Sequence, residues 1–433
     1  MEPLFVDVKL WGKVIGVLSW DEKREVATFQ YTPEYFKSGW DVSPLVMPNN
    51  ASSRNTVYQF LGNRTPCFSG LPGLIADSLP DKYGTEIINE WFASRGVSVG
   101  QISPLDRLCY IGRRGMGALE FEPSKMISGL DASTRIYMNE LTLLADSIFR
   151  DRENFRRRLL EQDQSVLDIL KIGTSAGGAK AKAIIAYNET TNEVRSGQIQ
   201  APEGFTYWLL KFDGSGFLEH GDLNDGVMGI GNIEYAYYRM AIACGIHMMK
   251  SRLLTEGEHH HFMTQRYDRT DHGGKIHVQT LAALAHYDRD SLHSYESVFA
   301  CLRRLRMDVP TQEELYRRMV FNVATRNHDD HTKNHSFLMN ERGEWTLSPA
   351  YDLCYSYKPG GRFTATHQMS LNGKREDFTF QDLKAVAENV GITNYREVID
   401  QVMEVVSRWS DYAKDSGVRD AHRQLIERNL ILF

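Results

Sequence analysis

The segment Asn327-His328-Asp329-Asp330-His331-Thr332-Lys333-Asn334 holds the densest set of chemically able side chains in the sequence. Its Asp329-x4-Asn334 spacing is that of a phosphoryl-transfer loop, in which the carboxylate faces an acceptor hydroxyl and the amide turns back to a magnesium ion. Asp and Asn also cap helices and open turns at such places, so the neighbours carry the weight. An apolar helical stretch through Leu315, Met319, Val320 and Val323 precedes the loop. A strand over 335–338, a turn at 341–343, a second strand over 344–347 and then Asp352 in Ser348-Pro349-Ala350-Tyr351-Asp352-Leu353 follow it. A hairpin between two oxygen-bearing loops offers one amide and one carboxylate. That set suits Mg2+, a hard cation that keeps phosphate and water oxygens around it.

Upstream, 205–213 reads as a buried strand with Lys211 near its end, a candidate phosphate clamp. A lysine late in a strand commonly just snorkels to water. Here a helix over 232–240 follows, with Glu234 expected in its first turn, and kinases pair a strand lysine with a helix glutamate. The order Lys211, Glu234, Asp329-x4-Asn334, Asp352 is the kinase order along the chain. Before these stands Gly173-Thr174-Ser175-Ala176-Gly177-Gly178-Ala179-Lys180-Ala181-Lys182, ahead of a strand over 183–187. Small residues let backbone N–H groups approach phosphate oxygens. The segment is neither a Walker A loop nor G-x-G-x-x-G, and a plain hairpin turn is its bland reading.

Jointly, the segment from Ser175 to Lys182, the strand lysine Lys211, Gln265-Arg266-Tyr267-Asp268-Arg269, the loop from Asp329 to Asn334 and Ser348-Pro349-Ala350-Tyr351-Asp352-Leu353 resemble HipA-type toxin kinases. Asp77-Ser78-Leu79-Pro80-Asp81 and Ile111-Gly112-Arg113-Arg114-Gly115-Met116-Gly117-Ala118 are similar to that family's N-terminal domain. The resemblance covers nearly the whole chain. It implies an α/β, two-lobed kinase-like fold related to phosphoinositide kinases, with a small mixed β/α N-terminal domain and a largely helical C-terminal lobe. It implies ATP and Mg2+ as cofactors and transfer to a serine or threonine of a protein such as an aminoacyl-tRNA synthetase. It also implies a helix-turn-helix antitoxin of the HipB type as partner.

Carried over by motif, Gly177, Gly178, Ala179, Lys180, Ala181 and Lys182 would cradle the phosphates, with Lys211, His331, Lys333 and Tyr351 around the same nucleotide. Gln265, Arg266 and Tyr267 would form the linker that reads adenine through backbone groups, Asp329 would be the catalytic acid/base, and Asn334 and Asp352 the metal ligands. Glu234 and Asp268 would support them, and Ser175, with Thr174 beside it, would be the autophosphorylated residue that switches the enzyme off. Two positions depart from the pattern. Asp330 stands where the family usually has Gly, adding charge beside the acceptor site, and Lys180 where family toxins commonly carry Gln. Two other readings use the same fold: a catalytically weak co-repressor body bound to an antitoxin, and a small-molecule kinase that differs only in its acceptor groove.

The elements that must position these residues divide the 433-residue chain into more than one unit, since single cores stop growing at about 250–300 residues. Alternating strands begin the chain, helix signals run over 84–95, and Pro123 ends a strand after Gly112–Ala118 turns the chain. The expected division is an N-terminal domain over 1–125, a charged helical connection over 126–165 and the kinase core over 166–433. Arg156-Arg157-Arg158 reads as a solvated helix face, and His259-His260-His261 as an exposed connection before the linker. With 50 Lys+Arg against 56 Asp+Glu, a net charge of −6, the chain is not the basic body that DNA binding requires, so DNA would be met only through the antitoxin. The start has no basic n-region followed by an apolar stretch, and no run is long enough to span a bilayer, which points to the cytoplasm and no membrane contact. Five cysteines without a C-x-x-C pair read as reduced thiols, mostly in the core.

Overall fold

The computed structural model describes residues 5–124, 135–138, 141–142, 152–161, 163–173, 181–214 and 228–433. Thr174, Ser175, Gly177, Gly178, Ala179 and Lys180 lie outside the described residues. Alternation at the start of the chain becomes antiparallel strands β1 (Phe5–Leu10), β2 (Lys13–Asp21) and β3 (Val26–Tyr31), joined by β4 (Tyr58–Gln59) and β5 (Leu119–Glu122) in the order β4-β3-β2-β1-β5. Side chains two apart share a sheet face, and Val6, Val8 and Leu10 are wholly buried on theirs.

A second sheet contains β6 (Arg135–Ile136), β7 (Lys182–Asn188), β8 (Glu193–Ser196), β9 (Thr206–Lys211), β10 (Ser251–Glu256) and β11 (His259–Gln265), ordered β10-β11-β9-β7-β8-β6. β7 and β9 are central, with Lys182 directly opposite Lys211. The three histidines are not an exposed connection. They open β11, and His261 is wholly buried, its Nδ1 accepting from the Asp213 N–H at 2.9 Å. A strand between β9 and β10 needs its ladder groups there, which the residue types did not reveal.

The helix expected over 84–95 spans Lys82–Ser94 and is capped by Asp81, whose Oδ1 accepts from the Gly84 N–H at 2.7 Å. Its face of Tyr83, Ile87, Ile88 and Trp91 packs with Ile169 and Leu170 of the helix Gln164–Ile172 and with Ile185, Trp208 and Leu210 of the second sheet. Each such side chain contributes roughly 1.5–3 kcal/mol by leaving water. The chain before residue 125 therefore feeds two cores, its own sheet and the next.

Each of the three arginines has a partner: Arg156 with Glu90 of the helix Lys82–Ser94 at 2.8 Å, Arg157 with Asn154 at 2.8 Å and Arg158 with Asp163 at 2.8 Å. The hairpin expected after the Asp329 loop is present. β12 (His277–Thr280), β14 (Ser336–Met339) and β15 (Trp345–Leu347) form a sheet in the order β12-β14-β15, while β13 (His293–Ser294) pairs in parallel with β16 (Met369–Ser370). The largest core gathers apolar faces of the helices Ile230–Ala243, Tyr295–Arg304, Val309–Ala324, Phe380–Val390 and Tyr395–Ser407. Four of the five cysteines are buried and Cys354 is half-buried. Among the described residues no helix is long and apolar enough to cross a membrane.

Candidate active site

The helix Val309–Ala324 delivers the Asp329 loop. Asp308 caps its start, accepting from the Thr311 N–H at 3.0 Å. At its end Arg326 takes φ +57°, a left-handed turn that points the chain into the loop, and its Nε donates to Asn429 O at 2.7 Å. Asn334 closes the loop by donating Nδ2 to Asp329 O at 2.7 Å. The Asp329 N–H donates to Ser356 Oγ at 3.0 Å, and the Ser356 hydroxyl donates to Asn327 Oδ1 at 2.9 Å. Asn327 Nδ2 in turn donates to Asp352 O at 3.3 Å. Asn327 and Ser356 thus hold the two oxygen-bearing loops together, a role the sequence reading missed. Asn327 lay inside the singled-out segment, whereas nothing marked Ser356.

Across the cleft Lys211 Nζ forms ion pairs with both Glu234 and Asp352. Burial alone would lower the Lys211 ammonium, but the two carboxylates raise it above its usual value. Glu234 stands one turn inside its helix, which starts at Ile230, because Asp213 caps that end by accepting from the N–H groups of Gly229 at 2.9 Å and Ile230 at 3.0 Å. Gly231 lets this helix lie on β11, since a Cβ there would stand 1.8 Å from His260 O. Asp352 takes φ +52°, a conformation that costs a non-glycine residue free energy and concentrates at functional sites.

Adjacent carboxylates of the loop have opposite settings. The Asp329 side chain is half exposed, with His331 Nε2 at 3.5 Å. Desolvation raises its pKa, His331 opposes, and the charges of Asp352 and Asp330 add to the rise. The Asp330 charge reaches Asp329, but its carboxylate is not open to an acceptor. It points inward, wholly buried, accepting from the Tyr295 hydroxyl at 2.8 Å, the Gln368 N–H at 2.8 Å and the Met369 N–H at 3.2 Å, with His367 Nδ1 at 2.9 Å. A buried carboxylate persists when its oxygens are this fully met. Desolvation would raise its pKa, but His367 and these donors leave it lowered.

In the linker, Gln265 N–H donates to Lys250 O and Arg266 N–H to Tyr207 O, both at 2.8 Å. Asp268 is locked between Arg266 and Arg269 and accepts from the Gly117 N–H at 2.7 Å, which gives the Arg113–Gly117 turn its role as the seat of the linker. The Tyr267 ring lies 5.6 Å from that of Tyr351, whose hydroxyl donates to Lys333 O at 2.8 Å. Lys182 is buried with its Nζ 3.9 Å from Asp81 Oδ2, while Ala181 packs into the core beside it. The structure therefore brings Lys182, Lys211, Glu234, Asp329, Asn334 and Asp352 around one cleft.

This donor set fits a magnesium ion. Asn334 spends its Nδ2 on Asp329 O, which leaves Oδ1 as the atom able to meet a cation, and Asp352 is a third exposed at the same cleft. An amide oxygen and a carboxylate oxygen are hard ligands, too few to exclude phosphate and water.

The family model of the HipA-like C-terminal domain matches residues 174–409, and that of the HipA N-terminal domain matches residues 6–122. The chain is 23% identical over 376 residues to the serine/threonine-protein kinase toxin HipA of Shewanella oneidensis, covering 81% of this chain and 75% of that protein. It is 29% identical over 148 residues to the putative kinase Y4dM of Sinorhizobium fredii, covering 34% of this chain and 36% of that one. The fold matches HipA in a solved complex of HipA, HipB and operator DNA from Shewanella oneidensis with a TM-score of 0.64 and 18% identity, covering 98% of this chain and 94% of that one. With the C-terminal model alone spanning more than half of its length, the chain belongs to the HipA family and is a protein kinase of that family.

Proposed function

We propose that the chain is the ATP-dependent serine/threonine kinase of a toxin–antitoxin pair, using Asp329 for the acceptor and Asn334 with Asp352 for magnesium. The observation that carries the reading is the joint meeting of Lys211 with Glu234 and Asp352 across the cleft from Asp329 and Asn334. A co-repressor body alone has no need of these five groups together.

In this reading Asp329 accepts the proton of a serine or threonine hydroxyl as its oxygen bonds to the γ-phosphorus and the bond to ADP breaks. The raised pKa of Asp329 suits a group that must take a proton in the transition state. Lys211 neutralises phosphate charge, held in place by Glu234, and Lys182 adds a second cation at the start of β7. Magnesium, when bound, neutralises charge on the phosphate oxygens. Because the amides of Gln265 and Arg266 already donate elsewhere, base reading by the linker rests on its carbonyls and on Tyr267. The functional division is 1–125, 126–165 and 166–433. The partner is a helix-turn-helix antitoxin of the HipB type, supported by the Shewanella complex, and the net charge of −6 leaves operator DNA to that partner. The substrate class is a translation component such as an aminoacyl-tRNA synthetase, with self-inhibition through phosphate on Ser175 or Thr174.

The test is transfer from labelled Mg-ATP into a cell lysate, with mass spectrometry of the labelled proteins and peptide mapping of the chain itself. Transfer to protein serine or threonine supports the reading. ATP bound without transfer to any protein would favour the co-repressor reading, and a labelled metabolite the small-molecule kinase.

A further inference from the structure

The turn Asp77–Asp81 belongs by sequence to the N-terminal domain, yet it contacts Thr280 and Lys182 of the kinase core. Asp77 fixes one end: its Oδ2 accepts from the Thr280 N–H at 2.6 Å and its Oδ1 from the Thr280 hydroxyl at 2.9 Å, where Thr280 caps the helix Leu281–Ala285. Asp81 fixes the other through two oxygens with different tasks. Oδ1 caps the helix Lys82–Ser94, while Oδ2 is buried with no hydrogen-bond partner among the described residues and faces Lys182 Nζ at 3.9 Å.

Lys182 needs such a neighbour. It lies directly opposite Lys211 on paired strands, so the two cations share a sheet face, an arrangement that repels unless each has a counter-charge. Lys211 has Glu234 and Asp352; for Lys182, Asp81 is the carboxylate at ion-pair distance among the described residues. The side chains of Lys182 and Asp81 are 4% and 6% exposed, so water cannot do the work of the counter-charge. Burial pushes the Asp81 carboxyl up to about 7 and the Lys182 ammonium down, and each is the main charge opposing the other's shift.

Resting on the kinase reading above, we propose that Asp81 is a positioning residue for the nucleotide phosphates: it holds Lys182 charged and in place at the start of β7, making the N-terminal domain a working part of the ATP site. The Asp77 anchor keeps the turn where it can do so.

The test uses the purified full-length chain and D81N, which removes the charge but keeps a side chain that caps helices as well as Asp. Calorimetry with Mg-ATP and with adenosine, and steady-state phosphotransfer, are compared for wild type, D81N, K182M and the double variant. Loss of one charge-assisted contact corresponds to about a tenfold weakening of ATP affinity and a matching rise in KM. Adenosine binding, and kcat to within about threefold, should stay near wild type in D81N, because the base site and the cap are untouched, while the unfolding midpoint falls because a buried cation loses its counter-charge. The double variant should be no worse than K182M, since the two residues act as one unit. D81N binding ATP like wild type, or a D81N defect adding in full to that of K182M, overturns the proposal while leaving the kinase reading intact. A wild-type chain that fails to bind Mg-ATP overturns both.

Discussion

In the linker, Asp268 is wholly buried, and both of its oxygens are taken by Arg266, Arg269 and the Gly117 N–H at 2.7–2.9 Å. In the cleft, Asp352 is a third exposed, sits at φ +52° and meets Lys211. The same pairing recurs within one loop, where Asp330 is fully met by Tyr295, His367 and two backbone amides while its neighbour Asp329 stays half exposed. Carboxylates of the frame have both oxygens met by donors. Those of the cleft keep capacity for ligands and bear backbone or electrostatic cost. The contrast predicts that loss of the first kind lowers stability and loss of the second lowers activity.

The sharpest way to break that contrast is Asp329→Asn. If Asp329 serves chemistry alone, phosphotransfer falls by roughly 10²–10⁴ while ATP affinity by calorimetry and the unfolding midpoint remain near wild type. Turnover close to wild type would put the acceptor chemistry elsewhere.

In the linker the opposite pattern is expected. Asp268→Asn leaves two buried guanidinium groups without their counter-charge and should cost about 3–5 kcal/mol in urea unfolding at pH 7. Although burial opposes ionisation, the two arginines depress the Asp268 pKa, so its contribution is present above about pH 4 and is lost as the pH falls through the folded-state value. The gap between wild type and Asp268→Asn should therefore narrow on acidification below about pH 4. A gap that stays constant would show that packing, and not charge, is what the substitution removes.

Asp330→Asn tests the contrast inside the loop. Turning an amide nitrogen toward Tyr295 and His367 should cost about 1–3 kcal/mol of stability. It should lower kcat far less than Asp329→Asn, because the Asp330 oxygens are already taken by Tyr295, His367 and two backbone amides. A larger kinetic than thermal effect would return Asp330 to the acceptor site. The smallest change is Arg157→Ala, an exposed partner of Asn154, expected within about 0.5 kcal/mol and without effect on ATP affinity. Weakened nucleotide binding would instead make the arginine triplet a phosphate patch.

Spacing and order along the chain singled out Lys211, Glu234, Asp329, Asn334 and Asp352, which the fold brings to one cleft. Period-two and helical patterning likewise predicted β1 to β3, the helix Lys82–Ser94 and the β14–β15 hairpin, since those elements bury one face and the amphipathic signal is local. Asn327, Ser356 and Asp213 escaped notice. Each acts on a partner distant in the chain or through backbone groups, and a polar residue in a loop has no sequence mark that tells a strut from a solvated turn.

What the sequence determined by itself was which side chains could meet a nucleotide, for residue type carries chemistry whatever the fold around it. Only the tertiary structure decided the inward turn of Asp330, the burial of His261 in a strand and the reach of Asp81 to Lys182. In each case the deciding term is desolvation: a polar group's role depends on whether water or another residue answers it, and that is settled by what packs on top.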